Sequence, residues 1–262
     1  MFWYVISYRG RVNICFIGTD TGTGWVFPEN GRTGHESRRC DGAPNPGGGM
    51  GKTERFLFYK CMTQMMKKKE LEMLLEKVRP FAEPDPRLEQ YPTPAVIAAD
   101  IAYSAYAAGD IEGMKVLDLG CGTGMFSVAA ALLGAGAVVG YDISDKALRI
   151  AEQNAADLGL EITFRQADIR EVDEGADTVL MNPPFGSQNR NADRPFLEKA
   201  LESAERVYSI HMANTLDFVR TFAEERGREV VSHKIYKYVI PHTFSFHTKM
   251  KQTVEIAAVV IH

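Results

Sequence analysis

Asn182-Pro183-Pro184-Phe185 stands directly after an apolar run at residues 178–181. Two successive prolines fix φ and remove two backbone donors, so the tetrad is neither helix interior nor central strand. What it offers is acceptors and a flat face: the Asn182 side-chain oxygen, the Pro183 carbonyl and the Phe185 ring. An amine conjugated to a ring is a poor nucleophile, because its lone pair is delocalised. Two acceptors, one for each N–H, pull such a group toward tetrahedral geometry and aim the lone pair at an electrophile. Asn suits that neutral role and cannot serve as a base. A planar base stacking on Phe185 gains about 1–3 kcal/mol. Taken alone, the tetrad reads equally as a turn with a hydrophobic anchor.

Three upstream features share one pattern, a short apolar run ending in a group that can hold a ligand. Val116-Leu117-Asp118-Leu119-Gly120-Cys121-Gly122-Thr123-Gly124 is a glycine-rich turn between strand and helix. Its bare backbone lets a ligand approach, and a helix N-terminus faces it. Asp142 ends the next run, 18 residues beyond Gly124, where a carboxylate can accept both hydroxyls of a ribose. That pair serves a nicotinamide dinucleotide and S-adenosylmethionine (SAM) alike. Asp168 ends the third run and can accept from an adenine amino group or cap a helix. A further glycine run, Gly47-Gly48-Gly49-Met50-Gly51-Lys52-Thr53, imitates a phosphate loop. Pro46 occupies the place of that loop's first glycine and no apolar strand precedes it, so it is not assigned phosphate binding.

The elements that must position these groups follow from periodicity. Leu71, Leu74, Leu75 and Val78 recur at helical spacing and predict an amphipathic helix over 67–79. Thr93 is placed to cap, and Pro94 to begin, an alanine-rich helix reaching Ala108. Strands are predicted at 115–119, 137–141, 161–166, 178–181 and 207–211. Helices over 124–133, 144–158, 195–205 and 214–226 alternate with them, and two β-rich runs, 229–240 and 252–261, close the chain. This alternation predicts an α/β fold: a doubly wound, mostly parallel, seven-stranded sheet with an N-terminal helical extension. The two consecutive runs at the end make one strand antiparallel.

Composition bounds the rest. The chain has 262 residues, 45% hydrophobic and 24% charged, with a net charge of −4. That excludes a disordered chain, a membrane span and a protein that coats nucleic acid with basic charge. Cys15, Cys40, Cys61 and Cys121 are scattered. They form neither a disulfide framework nor a zinc module, so no metal site is assigned and a cytoplasmic location is expected. The apolar first 18 residues contain Arg9 and Arg11 and lack a basic leader, which argues against a signal peptide. Residues 1–56 contain no leucine, and ten of the 23 glycines fall before residue 50. No strand or helix period persists there, so residues 1–64 are expected to be a disordered or non-native extension from a misplaced start, with the domain at 65–262. Residues 66–262 hold 22 basic and 29 acidic residues. Within them, residues 226–251 carry six basic side chains against one acid. Joined by Lys67, Lys68 and Lys69, that run would give an acidic protein one basic face.

In this order — glycine turn, Asp142, Asp168, tetrad — residues 182–185 resemble motif IV of the class I SAM-dependent amino-methyltransferases. The resemblance narrows to the small-subunit rRNA adenine-N6 methyltransferases. It runs in order from about residue 66 to 262. It is carried by the lysine-rich first helix, Glu89-Gln90-Tyr91-Pro92-Thr93, Leu133-Gly134-Ala135-Gly136, Met181-Asn182-Pro183-Pro184-Phe185-Gly186, Val207-Tyr208-Ser209-Ile210-His211 and Phe244-Ser245-Phe246-His247. It implies SAM-dependent methylation of adenine N6 in structured RNA, through Asn182, Pro183, Pro184 and Phe185. The implied SAM contacts are Gln90 and Thr93 as a cover; Asp118, Gly120, Gly122, Thr123, Gly124 and Met125 near the amino-acid end; and Asp142, Ile143 and Asp168 near ribose and adenine. RNA falls to Lys67, Lys68, Lys69, Phe246, His247, Lys249 and Lys251. The resemblance further implies a small zinc-binding activator protein on the edge strand 161–166. Residues 1–64 have no counterpart in the family. The alternatives are a glutamine-N5 methyltransferase of a release factor, which typically has tyrosine where Phe185 stands, a guanine-N2 RNA or adenine-N6 DNA methyltransferase, and a non-catalytic nucleotide-binding scaffold.

Overall fold

The computed structural model describes residues 2–8, 11–17, 66–186, 191–240 and 252–262, the first two stretches and residues 239, 240 and 252 by backbone alone. The chain divides into two units, Met1–Cys61 and Met62–His262. In the first, β1 (Phe2–Tyr8) pairs antiparallel with β2 (Arg11–Ile17) in continuous register from Phe2↔Ile17 to Tyr8↔Arg11. Here the expectation that no strand period persists is corrected. FWYVISY and RVNICFI are rich in β-branched and aromatic residues, and continuous apolar runs of this kind form strands without polar alternation.

The second unit is a seven-stranded sheet in the order β5-β4-β3-β6-β7-β9-β8. Its strands are β3 (Lys115–Leu119), β4 (Ala137–Asp142), β5 (Thr163–Gln166), β6 (Ala176–Met181), β7 (Ala204–Met212), β8 (Val230–Ile240) and β9 (Gln252–Ile261). Strands β3 to β7 are parallel, and β9 runs antiparallel between β7 and β8, so the doubly wound expectation holds with one reversed strand. Leu117, Leu119, Val179, Met181 and Val207 are wholly buried at the centre, as both faces of a parallel sheet require.

Helix α1 (Lys68–Leu75) is shorter than the periodicity predicts. It packs through fully buried Leu71 and Leu75, each worth about 1.5–3 kcal/mol, against α2 (Ala95–Ala108). Helix α3 (Met125–Leu132) follows the glycine turn. Helix α4 (Asp145–Leu158) starts on Ser144, whose Oγ accepts from the Ala147 N–H, and ends at Gly159 with φ 67°, both as expected. Helix α5 (Arg194–Ser203) ends before its predicted limit because β7 begins at Ala204, and α6 (Leu216–Glu224) follows a short 3₁₀ turn at Ala213–Thr215. Thr93 does not cap α2: Pro94 holds the cap position, and no side chain caps the helix.

Strand order fixes the place where chemistry is possible. From β3 the chain winds outward to β4 and β5, then returns to β6 on the other side. The carboxyl ends of β3 and β6 therefore diverge into loops on opposite faces and open a crevice at this switch point. Leu119 pairs with Met181, so the glycine turn and Asn182 leave the sheet side by side.

Candidate active site

A cavity of about 510 Å³ occupies that crevice, a size ordinary for a cofactor site. It is lined by Gln90, Thr93, Asp118, Gly120, Gly122, Thr123, Met125, Asp142, Ile143, Asp168, Asn182 and Pro184, among others. Twelve residues singled out in the sequence therefore meet, drawn from positions 90 to 184. Gly124, Pro183 and Phe185 border the same loops without lining the cavity. Gly124 is the left-handed cap of α3 (φ 84°), Pro183 is buried and Phe185 is half-buried.

The glycine turn is pinned from both sides. The Gly120 and Cys121 N–H groups donate to the Tyr141 carbonyl (2.8 and 2.9 Å). A Cβ at Gly122 would lie 2.7 Å from the Phe81 ring, and one at Gly120 would lie 2.9 Å from Phe196, so side chains at these positions would crowd both rings. One Asp142 oxygen accepts from the Gly122 N–H and the other from the Ser144 N–H, each at 2.8 Å. Each keeps acceptor capacity toward the cavity. Burial raises the Asp142 carboxyl above its ordinary range, against the hydrogen bonds from Ser144, Gly122 and Ile143 that oppose it. Asp118, 1% exposed, accepts from both the backbone N–H and the hydroxyl of Ser127 (2.8 and 2.6 Å), which ties β3 to α3. Burial pushes its carboxyl up to about 7.

Asp168 caps the 3₁₀ turn Ile169–Glu171 by accepting from the Arg170 N–H (2.9 Å), and its carboxylate pairs with the Arg170 guanidinium (3.2 Å). Its capping role is thus realised at the cavity wall, beside Ile143, which is 51% exposed there.

Asn182 has an asymmetric environment. Its Nδ2 donates to Thr93 Oγ1 at 2.9 Å, whereas its Oδ1 is buried from solvent with no hydrogen-bond partner in the protein. A buried, unsatisfied carbonyl is costly, and such an atom is explained by a ligand that donates to it.

Asn154 was missed by motif reading. It is 2% exposed on α4; its Nδ2 donates to the Thr123 carbonyl (2.9 Å) and the Arg79 carbonyl (3.2 Å), and its Oδ1 accepts from the Arg79 N–H (3.0 Å). One amide thus ties the segment carrying Phe81 to the glycine turn. The signal was present: Ala147, Leu148, Ala151, Ala155 and Leu158 form the buried stripe of α4, and Asn154 lies within it. Beyond Phe81, Glu89 adopts left-handed φ (50°), a conformation non-glycine residues rarely hold, and delivers Gln90, whose Oε1 accepts from the Asp85 N–H (2.8 Å).

The expected basic face forms in part. Asp100 on α2 binds Lys68 from α1 (2.6 Å) together with Lys234 and Tyr236 from β8. Burial works to raise the Asp100 carboxyl, but the hydrogen bonds from Lys234, Lys68 and Tyr236 outweigh it and hold it well below the carboxylate range. Both lysines stay half-exposed, at 51% and 62%. Arg226 and Arg228 do not belong to this face. Arg226 lies over the Phe222 ring and reaches Glu198, and Arg228 donates to the carbonyls of Leu201, Ala204 and Glu205. Lys67 is exposed and Lys69 pairs with Glu72. Phe246, His247, Lys249 and Lys251 lie outside the described residues.

Residues 110–250 match the family described as Methyltransferase domain, and with it the cavity acquires a class: the chain is a class I, SAM-dependent methyltransferase. The rRNA N(6)-adenosine-methyltransferase METTL5 of Danio rerio is 37% identical over 199 residues, covering 73% of this chain and 96% of the relative. Mettl5 of Drosophila melanogaster, of the same name, is 38% identical over 200 residues, 73% of this chain and 94% of the relative. The solved structure of PH1948 from Pyrococcus horikoshii superposes with a TM-score of 0.71 at 39% identity, covering 75% of this chain and 98% of that one. The chain belongs to the METTL5-like family of class I methyltransferases.

The cavity fits SAM on its own geometry. Its volume of about 510 Å³ suits a cofactor, the Asp142 oxygens retain acceptor capacity for ribose hydroxyls, and Ile143 offers an apolar surface to adenine.

Proposed function

We propose that this protein methylates the exocyclic N6 amino group of adenine in structured RNA, specifically small-subunit rRNA. The observation that carries the reading is the buried, unpartnered Oδ1 of Asn182 at the rim of the cofactor cavity. An adenine amino group supplies the donor it lacks. Bound SAM supplies an electrophilic methyl group. Asn182 Oδ1 accepts one N6–H and the Pro183 carbonyl the other, and Phe185 stacks on the base. No strong base is required, because the amine becomes strongly acidic once alkylated. Within the cofactor pocket, Asp142 takes the ribose, Thr123 and Met125 border the amino-acid end, and Asp168 with Ile143 borders adenine. The test is methyl transfer from labelled SAM to ribosomal subunits, free rRNA and total protein, followed by nucleoside analysis; label recovered in glutamine, or in guanine N2, would overturn the reading.

RNA recognition rests on the cations gathered at Asp100 and on residues 241–251. The end of β8 and the start of β9, paired at Ile240 and Gln252, lie on the carboxyl side of the parallel strands, the side on which Asn182 lies. Lys68→Gln and Lys234→Gln should each weaken RNA binding and reduce its salt slope by about 0.7–0.9, with SAM affinity unchanged. Filter binding from 50 to 200 mM salt checks this, and an unaltered slope in both variants removes the patch from the RNA path. Lys67, Lys69, Phe246, His247, Lys249 and Lys251 are assigned to the same path.

The proposal extends to the edge strand β5, which leaves one side of Thr163–Gln166 unpaired in the sheet, as the docking edge for a small activator protein, and to a cytoplasmic location. No helix among the described residues is long and apolar enough to cross a membrane. Residues 1–64 are proposed to be dispensable. A chain starting at Met65 should bind SAM and methylate RNA within about twofold of the full chain, since the chain divides into two units at residues 61 and 62; loss of folding or activity on truncation would assign that segment a working role.

A further inference from the structure

We infer that Thr93 is a positioning residue: its hydroxyl accepts from Asn182 Nδ2 and so anchors the side chain with Oδ1 left for a substrate N–H. The inference rests on the amino-methyltransferase reading above. An Asn side chain has two nearly isosteric ends, a carbonyl and an NH₂, and rotation about its last bond exchanges them. Only the carbonyl end can accept from an amine. In this structure Nδ2 donates to Thr93 Oγ1 at 2.9 Å while Oδ1 is left buried and unpartnered. Thr93 is 9% exposed, so water is a poor substitute for its hydroxyl.

Thr93 is itself held. It stands between Pro92 and Pro94, both restricted in φ. The Pro92 carbonyl accepts from the hydroxyl of Tyr238, which is 5% exposed, at 3.1 Å, and the Pro94 carbonyl accepts the first hydrogen bonds of α2 from Ile97 and Ala98 (3.0 and 2.9 Å). The segment is thus fastened to β8 on one side and α2 on the other. Thr93 reaches from it to the end of β6. Thr93 stands one residue before the cap position that Pro94 holds, and its hydroxyl bonds instead to a residue 89 positions away in sequence.

The test compares Thr93→Val, which keeps the shape and removes the acceptor, with Thr93→Ser, which keeps the acceptor, and with Asn182→Ala. Thr93→Val should lower kcat on RNA on the order of tenfold, the effect of one lost hydrogen bond. KM for RNA should stay within about twofold, and the calorimetric Kd for SAM should rise by less than the fall in kcat, since Thr93 also lines the cofactor cavity. Thr93→Ser should restore kcat to within about threefold of the unaltered chain, and Thr93→Val should have no further effect in the Asn182→Ala background. SAM binding reports that each variant is folded, and Thr93→Ala serves in place of Val if that fails. An unchanged kcat in Thr93→Val, or a loss of SAM affinity in step with rate, overturns the positioning role. If Asn182→Ala is fully active, the amino-methyltransferase reading falls instead, which separates the two failures.

Discussion

Asn182→Ala should reduce methyl transfer to RNA on the order of 100-fold or more, while SAM affinity stays within about twofold. The size follows from losing one oriented acceptor aimed at the reacting group, an effect of about 2.7–4 kcal/mol where such groups have been removed from other enzymes. Its selectivity follows from the structure. Asn182 makes its hydrogen bond to Thr93, and the residues that grip the glycine turn, Tyr141, Asp142 and Asn154, make no hydrogen bond to it. Truncation therefore removes the acceptor without loosening the cofactor cradle. Asn182→Ala removes an unsatisfied buried carbonyl but also the hydrogen bond to Thr93, so the two effects oppose each other and its thermal midpoint should stay close to that of the unaltered chain. Single-turnover assays with labelled SAM, beside calorimetry and a thermal melt, check all three. A variant that methylates RNA at the normal rate would end the assignment.

The parts of the site that were legible in the sequence are those governed by local chemistry. Ser144 caps α4 and Gly159 ends it in left-handed φ, because a hydroxyl three residues before an amide and a residue without Cβ act over a few ångströms of chain. The glycine turn, Asp142 and the tetrad could be placed at strand ends because apolar runs of four to six residues stop there. What could not be read depends on partners far along the chain. Thr93-Pro94 has every local mark of a helix start, yet Asn182 takes its hydroxyl. Arg226 and Arg228 count as surface charge in a composition, but the fold directs them onto the Phe222 ring and the carbonyls at the end of α5 and the start of β7. Lys68 and Lys234, 166 positions apart, meet only because α2 places Asp100 between them. Asn154 lies between these cases: its place in an apolar stripe was visible, its double hold on Arg79 and Thr123 was not.

Asp142→Ala should weaken SAM binding about tenfold to a hundredfold, the loss of charged acceptors worth about 1.5–3 kcal/mol. It should also lower stability, because the Gly122 and Ser144 N–H groups lose their acceptor. Asp142→Asn separates the two effects, since it keeps one acceptor and loses the charge. The pH dependence has a definite sign. Burial raises the Asp142 carboxyl in the folded protein, so protonation begins at a higher pH than for a free carboxylate. The ionised form is the one that accepts from ribose hydroxyls, hence SAM affinity should fall as pH drops into that raised range. Stability of the ligand-free protein should move the other way. A carboxyl whose folded pKa is raised contributes stability that is present in full below its unfolded value and lost as pH rises through the folded one. In Asp142→Asn the acid decline in affinity attributable to this group should vanish. SAM calorimetry and thermal midpoints from about pH 4 upward check both limbs, and an affinity unchanged by Asp142→Ala at any pH would remove Asp142 from the cofactor site.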